Sequence, residues 1–460
     1  MLFPLTSAAV IACILAAYGH DERRSPLVLA LAAWGASLLL ASPIIFKYAV
    51  DYSIRTDAFV ATCLSAATVA YLLFRRAPRP APSTYVHRTR EIRISKVLGV
   101  AGALGCLLLL ADAHATNGLQ FSLSYLLDNV STIRTDQFEG LASGVDRGLV
   151  GTLGGLVAPC AVLSVIGAVR LGREGGQAVR WLGIVNFALV AAVSLMVFAG
   201  RATIVNLALL VLVSLFVSGR RLSPLRPRTL AVGGLLLVCA WYFATGWFGT
   251  REDHPNTLVI LQGTQRAELR PWIAGIVARD ESAGLAAVSV GYFASPLPTL
   301  AFYMQQRPTP GPYYGAYSYP LPARVLGTVR GTWTRDEWYA IRQDIYAPIE
   351  SQNYFGNVWS TWLRDLLVDF GFAGAIMFCG LFGAFMAWAR NRYELTGALH
   401  YHYLEVTACF SLGFGAFTSF LFDPFVALPF FFALAVMFAV RPSTSAPIRR
   451  RALTGYGLGP

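Results

Sequence analysis

The stretch SQNYFGNVWSTWLRDLLVDFGFAG, Ser351 to Gly374, runs from a long polar segment straight into a hydrophobic run, and the rest of the chain is organised around it. Phe355, Val358, Trp359, Trp362 and Leu366 fall on one helical face, and Asn357, Thr361 and Asp365 on another. That spacing predicts an amphipathic helix lying on a membrane surface and continuing into a span. Asp369 then sits at the mouth of the span, where an acid ordinarily needs a partner. Gly371 and Gly374 beyond it allow neighbouring helices to approach closely.

Composition agrees with a membrane body. Of 460 residues, 55% are hydrophobic and only 13% charged, and the mean hydropathy is +0.53. A soluble domain of ordinary surface-to-volume ratio needs more polar residues than this. The net charge of +12 comes almost wholly from arginine. In so apolar a chain it points to cytoplasmic flanks facing anionic lipid, and no nucleic-acid-binding module is present. All seven cysteines, Cys13, Cys63, Cys106, Cys160, Cys239, Cys379 and Cys409, fall in apolar runs, so they read as packing residues and neither disulfides nor metal ligands.

Eleven runs approach the length of a bilayer crossing. They are Leu2 to Tyr18, Leu27 to Phe46, Ala58 to Phe74, Val97 to Ala113, Leu149 to Val169, Trp181 to Phe198, Ala202 to Val217, Leu230 to Phe248, Leu366 to Trp388, Leu404 to Leu421 and Phe425 to Val440. The first lacks a basic leader and a small-residue cleavage site, so it is expected to remain as a span. The expected fold is an all-α polytopic membrane protein. Residues 1–249 hold spans one to eight, 250–365 a loop region with amphipathic helices, 366–440 spans nine to eleven, and 441–460 a basic tail.

Arginine placement orients these spans. Asp21 to Arg24, Arg75 to Lys96, Arg170 to Arg180, Arg220 to Thr229, Arg390 to Tyr403 and the tail from Arg441 fall on one side by alternation. That side holds 22 of the 37 Lys and Arg but only six of the 25 acids (Asp21, Glu22, Glu91, Glu174, Glu394 and Glu405), a net of +16 against −4 opposite. By the positive-inside rule it is cytoplasmic, as is the C-terminus, and the N-terminus is outside. Lys47 to Asp57, His114 to Arg147 and Thr250 to Asp365 then face outward.

Candidate residues gather at that outer face. Arg201, in VFAGRATIVN, joins two spans almost without a loop, so its guanidinium belongs near lipid head groups. There it suits a bidentate phosphate grip, or snorkels to lipid phosphate. GTREDHPN sets Arg251, Asp253 and His254 just above the eighth span, a cation and bases suited to proton transfer beside a diphosphate, or a solvated turn. Arg266, Arg270 and Arg279 follow. Arg266 and Arg270 share a face at helical spacing, with Glu268 and Asp280 near enough to neutralise them. Tyr313, Tyr314, Tyr317 and Tyr319 stand among Pro and Gly before Arg324, where rings on irregular backbone either stack on sugars or form an interfacial aromatic belt. No nucleotide loop, nucleophile elbow or His/Cys ligand set is present, so no cofactor and no metal are expected.

The order GYFASPLPTLAFYM, YYGAYSYPLPARVLG, NVWSTWLRDLLVDFGFAG resembles the Wzy-type O-antigen and oligosaccharide repeat-unit polymerases over roughly the second half of the chain. The earlier GRATIVN is similar to the arginine-bearing turn of that family, matching Arg201; Asn357, Asp369, Phe370, Gly371 and Gly374 match its asparagine and Asp-Phe-Gly opening of a span. The resemblance implies a GT-C-like, metal-independent glycosyltransferase of the bacterial inner membrane that takes undecaprenyl-diphosphate-linked glycans as donor and acceptor. A chain-length regulator is a partner the same resemblance suggests. The family's paired outward loops, with Arg, ten residues, then Gly, are not found, and no residue is carried over from them. On this reading Arg201 and Arg251 stabilise the diphosphate, and Arg266, Arg270, Arg279 and Arg324 assist. Tyr313, Tyr314 and Tyr317 bind sugar, Asp253 or His254 takes a proton, and Asn357, Asp369 and Gly371 support the site. An O-antigen ligase shares donor and architecture; a flippase of lipid-linked glycans is the alternative of a different class, expected to place its charges within the spans.

Overall fold

The computed structural model describes residues 3–20, 25–41, 46–48, 53–76, 85–117, 149–172, 174–197, 202–218, 267–279, 287, 290, 294–305, 361–417 and 423–439. Helices dominate: α1 (Pro4–His20), α2 (Pro26–Leu40), α3 (Ile54–Phe74), α4 (Tyr85–Asn117), α5 (Leu149–Val157), α6 (Cys160–Leu171), α7 (Gly176–Met196), α8 (Ala202–Val217), α9 (Pro271–Val277), α10 (Pro296–Gln305), α11 (Trp362–Thr396), α12 (Leu399–Phe414) and α13 (Pro424–Ala439). The departure from an all-helical chain among the described residues is an antiparallel ribbon of two short strands, β1 (Phe46–Tyr48) and β2 (Ala267–Leu269), in which Lys47 faces Glu268.

The chain is a helical, membrane-embedded protein. Five stretches are long and apolar enough to cross a membrane: Ile54–Phe74, Thr89–Thr116, Leu149–Leu171, Gly176–Met196 and Trp362–Thr396. Pro4–Tyr18, Pro26–Leu40, Thr203–Val217 and Phe425–Val436 are shorter apolar helices. These nine fall on nine of the expected spans; the expected eighth, Leu230 to Phe248, lies outside the described residues, and α12, at the expected tenth, is not among these apolar helices. Lipid explains the agreement, since a backbone in hydrocarbon must satisfy its own hydrogen bonds and a long apolar run does so as helix. Local chemistry sets the ends. Pro26 opens α2 in its first turn, the Ser53 hydroxyl accepts from the Thr56 N–H at the start of α3, and Pro159 separates α5 from α6.

Hydrocarbon is as apolar as leucine, so helices in it are held by close packing and buried polar contacts. A Cβ added to Gly383 of α11 would run into the backbone of Ala67 on α3, so the two helices touch backbone to backbone. At one end of this pair Arg55 lies over the Phe372 ring, 4.5 Å from its centroid, and Phe59 packs edge-on against the same ring. α1 begins at that end too. Its first N–H groups, on Leu5 and Thr6, donate to the Asp57 carboxylate at 2.8 and 2.7 Å, an anion at a helix N-terminus.

The opposite end is closed by charge. Arg75 donates two hydrogen bonds to Glu394 at 2.7 and 2.9 Å and one to Asn391 at 2.8 Å. Arg390 bridges Glu394 and the fully buried Glu405, each at 2.8 Å. Glu91 accepts from the Leu399 N–H, and Arg170 lies over the Tyr393 ring and reaches the Gly397 carbonyl. The connections that alternation assigns to one side, 75–96, 170–180 and 390–403, therefore meet at one end. The ribbon joins the connection after α2 to the segment before α9, as expected of two segments sharing the other side.

Three details differ from the sequence-based expectation. α11 is not one continuous rod, because Gly371 has φ 67° and ψ −174°, a region almost closed to other residues. The helix therefore breaks within the run expected as the ninth span. Gly371 does not serve close helix contact, since nothing lies within 4 Å of where its Cβ would be. α12 stops at Phe414, short of the expected Leu421, and all of its residues but His400 are buried.

Candidate functional site

The break at Gly371 reverses the chain. In a straight helix Trp362 would lie about 24–30 Å from Phe378 and Phe382; instead its ring centroid is 5.6 Å from the first and 5.0 Å from the second. Residues 362–370 therefore lie back against residues 372–396. Gly374 permits the tight reversal, since a Cβ there would strike the Phe370 side chain. Phe378 and Phe382 are some 9–15 Å along the helix from Phe372, so the half-helix begins that far inside the body.

There it meets the end of α12. The Trp362 N–H donates to the Gly415 carbonyl at 2.8 Å, and one turn earlier the Leu412 carbonyl accepts from Trp34 Nε1 of α2 at 2.7 Å. Thr361 caps the half-helix, its hydroxyl accepting from the Arg364 N–H at 3.3 Å. Two helix ends thus face each other within the body, a positive N-terminus and a negative C-terminus.

The half-helix is buried on every side from Trp362 to Asp369. The expected amphipathic surface helix is absent from these residues: Trp362 and Leu366 of its apolar face and Thr361 and Asp365 of its polar face are all about 1% exposed or less. The alternation reflects instead a polar edge enclosed by protein. Arg364, 2% exposed, donates to Asp365 Oδ1 from Nη2 at 3.0 Å and from Nε at 3.2 Å, and Asp369 is equally enclosed. Charges so far from water interact strongly and are costly without partners.

A second polar cluster lies where α8 and α13 begin. Asp423 precedes Pro424 and accepts from the Phe425 N–H at 3.0 Å, an N-cap, and from Asn206 Nδ2 at 2.8 Å. Burial pushes its carboxyl above the ordinary carboxylate range, opposed by hydrogen bonds from Asn206, the Phe425 N–H and Thr203. Asp423 so ties the first turns of α8 to the start of α13.

Of the residues predicted to act, four lie in described parts of the chain. Asp369 and Gly371 sit together at the reversal. Arg270 is the half-buried N-cap residue of α9, and Arg279 is exposed just beyond its end. The helical spacing expected of Arg266 and Arg270 does not hold, because β2 occupies residues 267–269. Glu268 pairs with Lys47 at 3.5 Å across the ribbon. Arg201, Arg251, Asp253, His254, Arg266, Tyr313, Tyr314, Tyr317, Tyr319, Arg324 and Asn357 lie outside the described residues.

Sequence reasoning passed over Arg364, Asn206 and Asp423. The signals were present, as two adjacent charges inside WLRDLLV and an acid before proline in FLFDPFV. Among the described residues no group of three or more His, Cys, Asp or Glu could hold a metal ion. No protein-family model, curated protein or solved structure matches the chain.

Proposed function

We propose that the chain is a GT-C-like glycosyltransferase of eleven spans that polymerises undecaprenyl-diphosphate-linked oligosaccharide repeat units at the outer face of the bacterial inner membrane. The observation that carries this reading is the half-helix 362–370. It brings the end of the long outward segment, with the buried charges Arg364, Asp365 and Asp369, into the helical body, where charges held away from water can act on a lipid-borne diphosphate. α10, from the same segment, is likewise buried in the core shared by the membrane helices.

In the reaction the bond from the donor's anomeric carbon to its diphosphate oxygen breaks, and the acceptor hydroxyl oxygen bonds to that carbon. The hydroxyl proton passes to a base, Asp253 or His254. Undecaprenyl diphosphate departs with the bonding electron pair, its charge met by Arg201 and Arg251 with Arg266, Arg270 and Arg324 in support. Tyr313, Tyr314 and Tyr317 hold the sugars, and Asn357, Asp369 and Gly371 support the site.

One observation favours a second reading. Discontinuous helices meeting inside the body, beside buried charges, are also the architecture of transporters. Purified protein in liposomes, given lipid-diphosphate-linked repeat units alone, separates the readings. Longer glycans on the same lipid are expected. Growth only after a lipid A core acceptor is added replaces polymerase with ligase. Movement of the lipid between leaflets without any covalent change replaces both with transport.

A further inference from the structure

α9 is short and sits on the ribbon. Its Ile273, Ala274 and Val277 pack with Phe46, Leu269, Ala287 and Ala294 in a small cluster apart from the main core. The same cluster includes Leu40, the last residue of α2, an apolar helix whose Leu39 is 66% exposed and so faces lipid. α9 is thereby held at the level where a membrane-embedded helix ends. Its other side presents Trp272 and Ile276, 58% and 51% exposed and one turn apart, with exposed Arg279 a further turn on. Two apolar side chains and a cation on one stripe, beside the end of a lipid-facing helix, match the head-group layer in both hydrophobicity and charge.

We infer that α9 lies in the outer head-group layer of the bilayer, with Trp272 and Ile276 inserted toward the acyl boundary and Arg279 on lipid phosphate. Arg279 then serves the lipid surface and not the diphosphate of a substrate. The inference rests on membrane embedding and on the orientation that arginine placement gives, and survives if the polymerase reading fails.

A nitroxide on Ile276→Cys in the full chain, reconstituted into liposomes of phosphatidylethanolamine and phosphatidylglycerol, tests it, with the spectrum of identically treated wild type subtracted for native cysteines. Collisions with oxygen, which partitions into lipid, are expected to exceed those with a water-soluble nickel chelate several-fold. Arg279→Glu is expected to lower that ratio in the anionic liposomes. A label reached mainly by the nickel chelate places the stripe in water and overturns the inference. A label reached by neither reagent means that protein covers the stripe, and overturns it equally.

Discussion

At the charged end of the body Arg75, Arg390, Glu394 and Glu405 close on one another, while toward the other end Arg364, Asp365 and Asp369 ride on a half-helix that returns from the loop. The first group joins the ends of α3, α11 and α12 and matches two cations to two acids. Every part of it is explained by holding helix ends together. The second group sits where the backbone turns through a conformation reserved for glycine and where two helix ends face each other. Buried charge that bridges elements reads as a lock; buried charge at a break in the helices reads as a site.

The largest expected effect breaks the lock. Arg390→Ala leaves Glu405 buried without its main cation and is expected to cost about 3–5 kcal/mol, seen as a fall in melting temperature of the detergent-solubilised protein. Arg390→Met combined with Glu405→Leu removes both charges and is expected to regain most of that loss. A double variant as unstable as the single one would mean that the pair is not a mutual neutralisation.

Next comes the reversal. Gly371→Ala adds a methyl group to open space, so its whole cost is backbone strain, about 1–3 kcal/mol. Because the strain relaxes by moving residues 362–370, glycan elongation is expected to fall more than thermal stability does. Unchanged elongation in a destabilised Gly371→Ala protein would separate the half-helix from the chemistry.

The expected loss is smaller for paired, nearly isosteric changes at the two ends. Asp369→Asn is expected to lower elongation about tenfold, roughly 1.4 kcal/mol of barrier, at nearly unchanged melting temperature. Glu405→Gln is expected to lower the melting temperature and leave the turnover of folded protein alone. If each variant shifts the same quantity, the contrast between lock and site is lost.

The helices were legible because lipid imposes one rule on every span: α3 and α7 fall on their apolar runs within about five residues at each end, while α4 starts well before its run, at Tyr85. The reversal was not. LLVDFGFAGAIMF, Leu366 to Phe378, is largely apolar on both sides of Gly371, so hydropathy reads one run, and the decisive contacts reach Phe378, Phe382 and the distant Gly415. Periodicity marked a polar edge at Thr361 and Asp365 but carries no word on whether water or protein covers it. Asp423 was readable as a cap before proline, whereas its bond to Asn206 joins residues 217 positions apart.

The smallest expected effect concerns the ribbon. Lys47 and Glu268 face each other at 3.5 Å with side chains 67% and 65% exposed. Water and salt screen such a pair, so Lys47→Ala is expected to change stability by no more than about 0.5 kcal/mol, vanishing at high salt. Phe46 and Leu269, buried on the ribbon's other face, hold it instead, and Phe46→Ala should cost several-fold more. Comparing the two variants by proteolysis of the segment between α8 and α10 tests this. Equal sensitivity would mean that the charge, and not the apolar face, carries the ribbon, and the contrast between buried charge that matters and exposed charge that does not would fail at its simplest point.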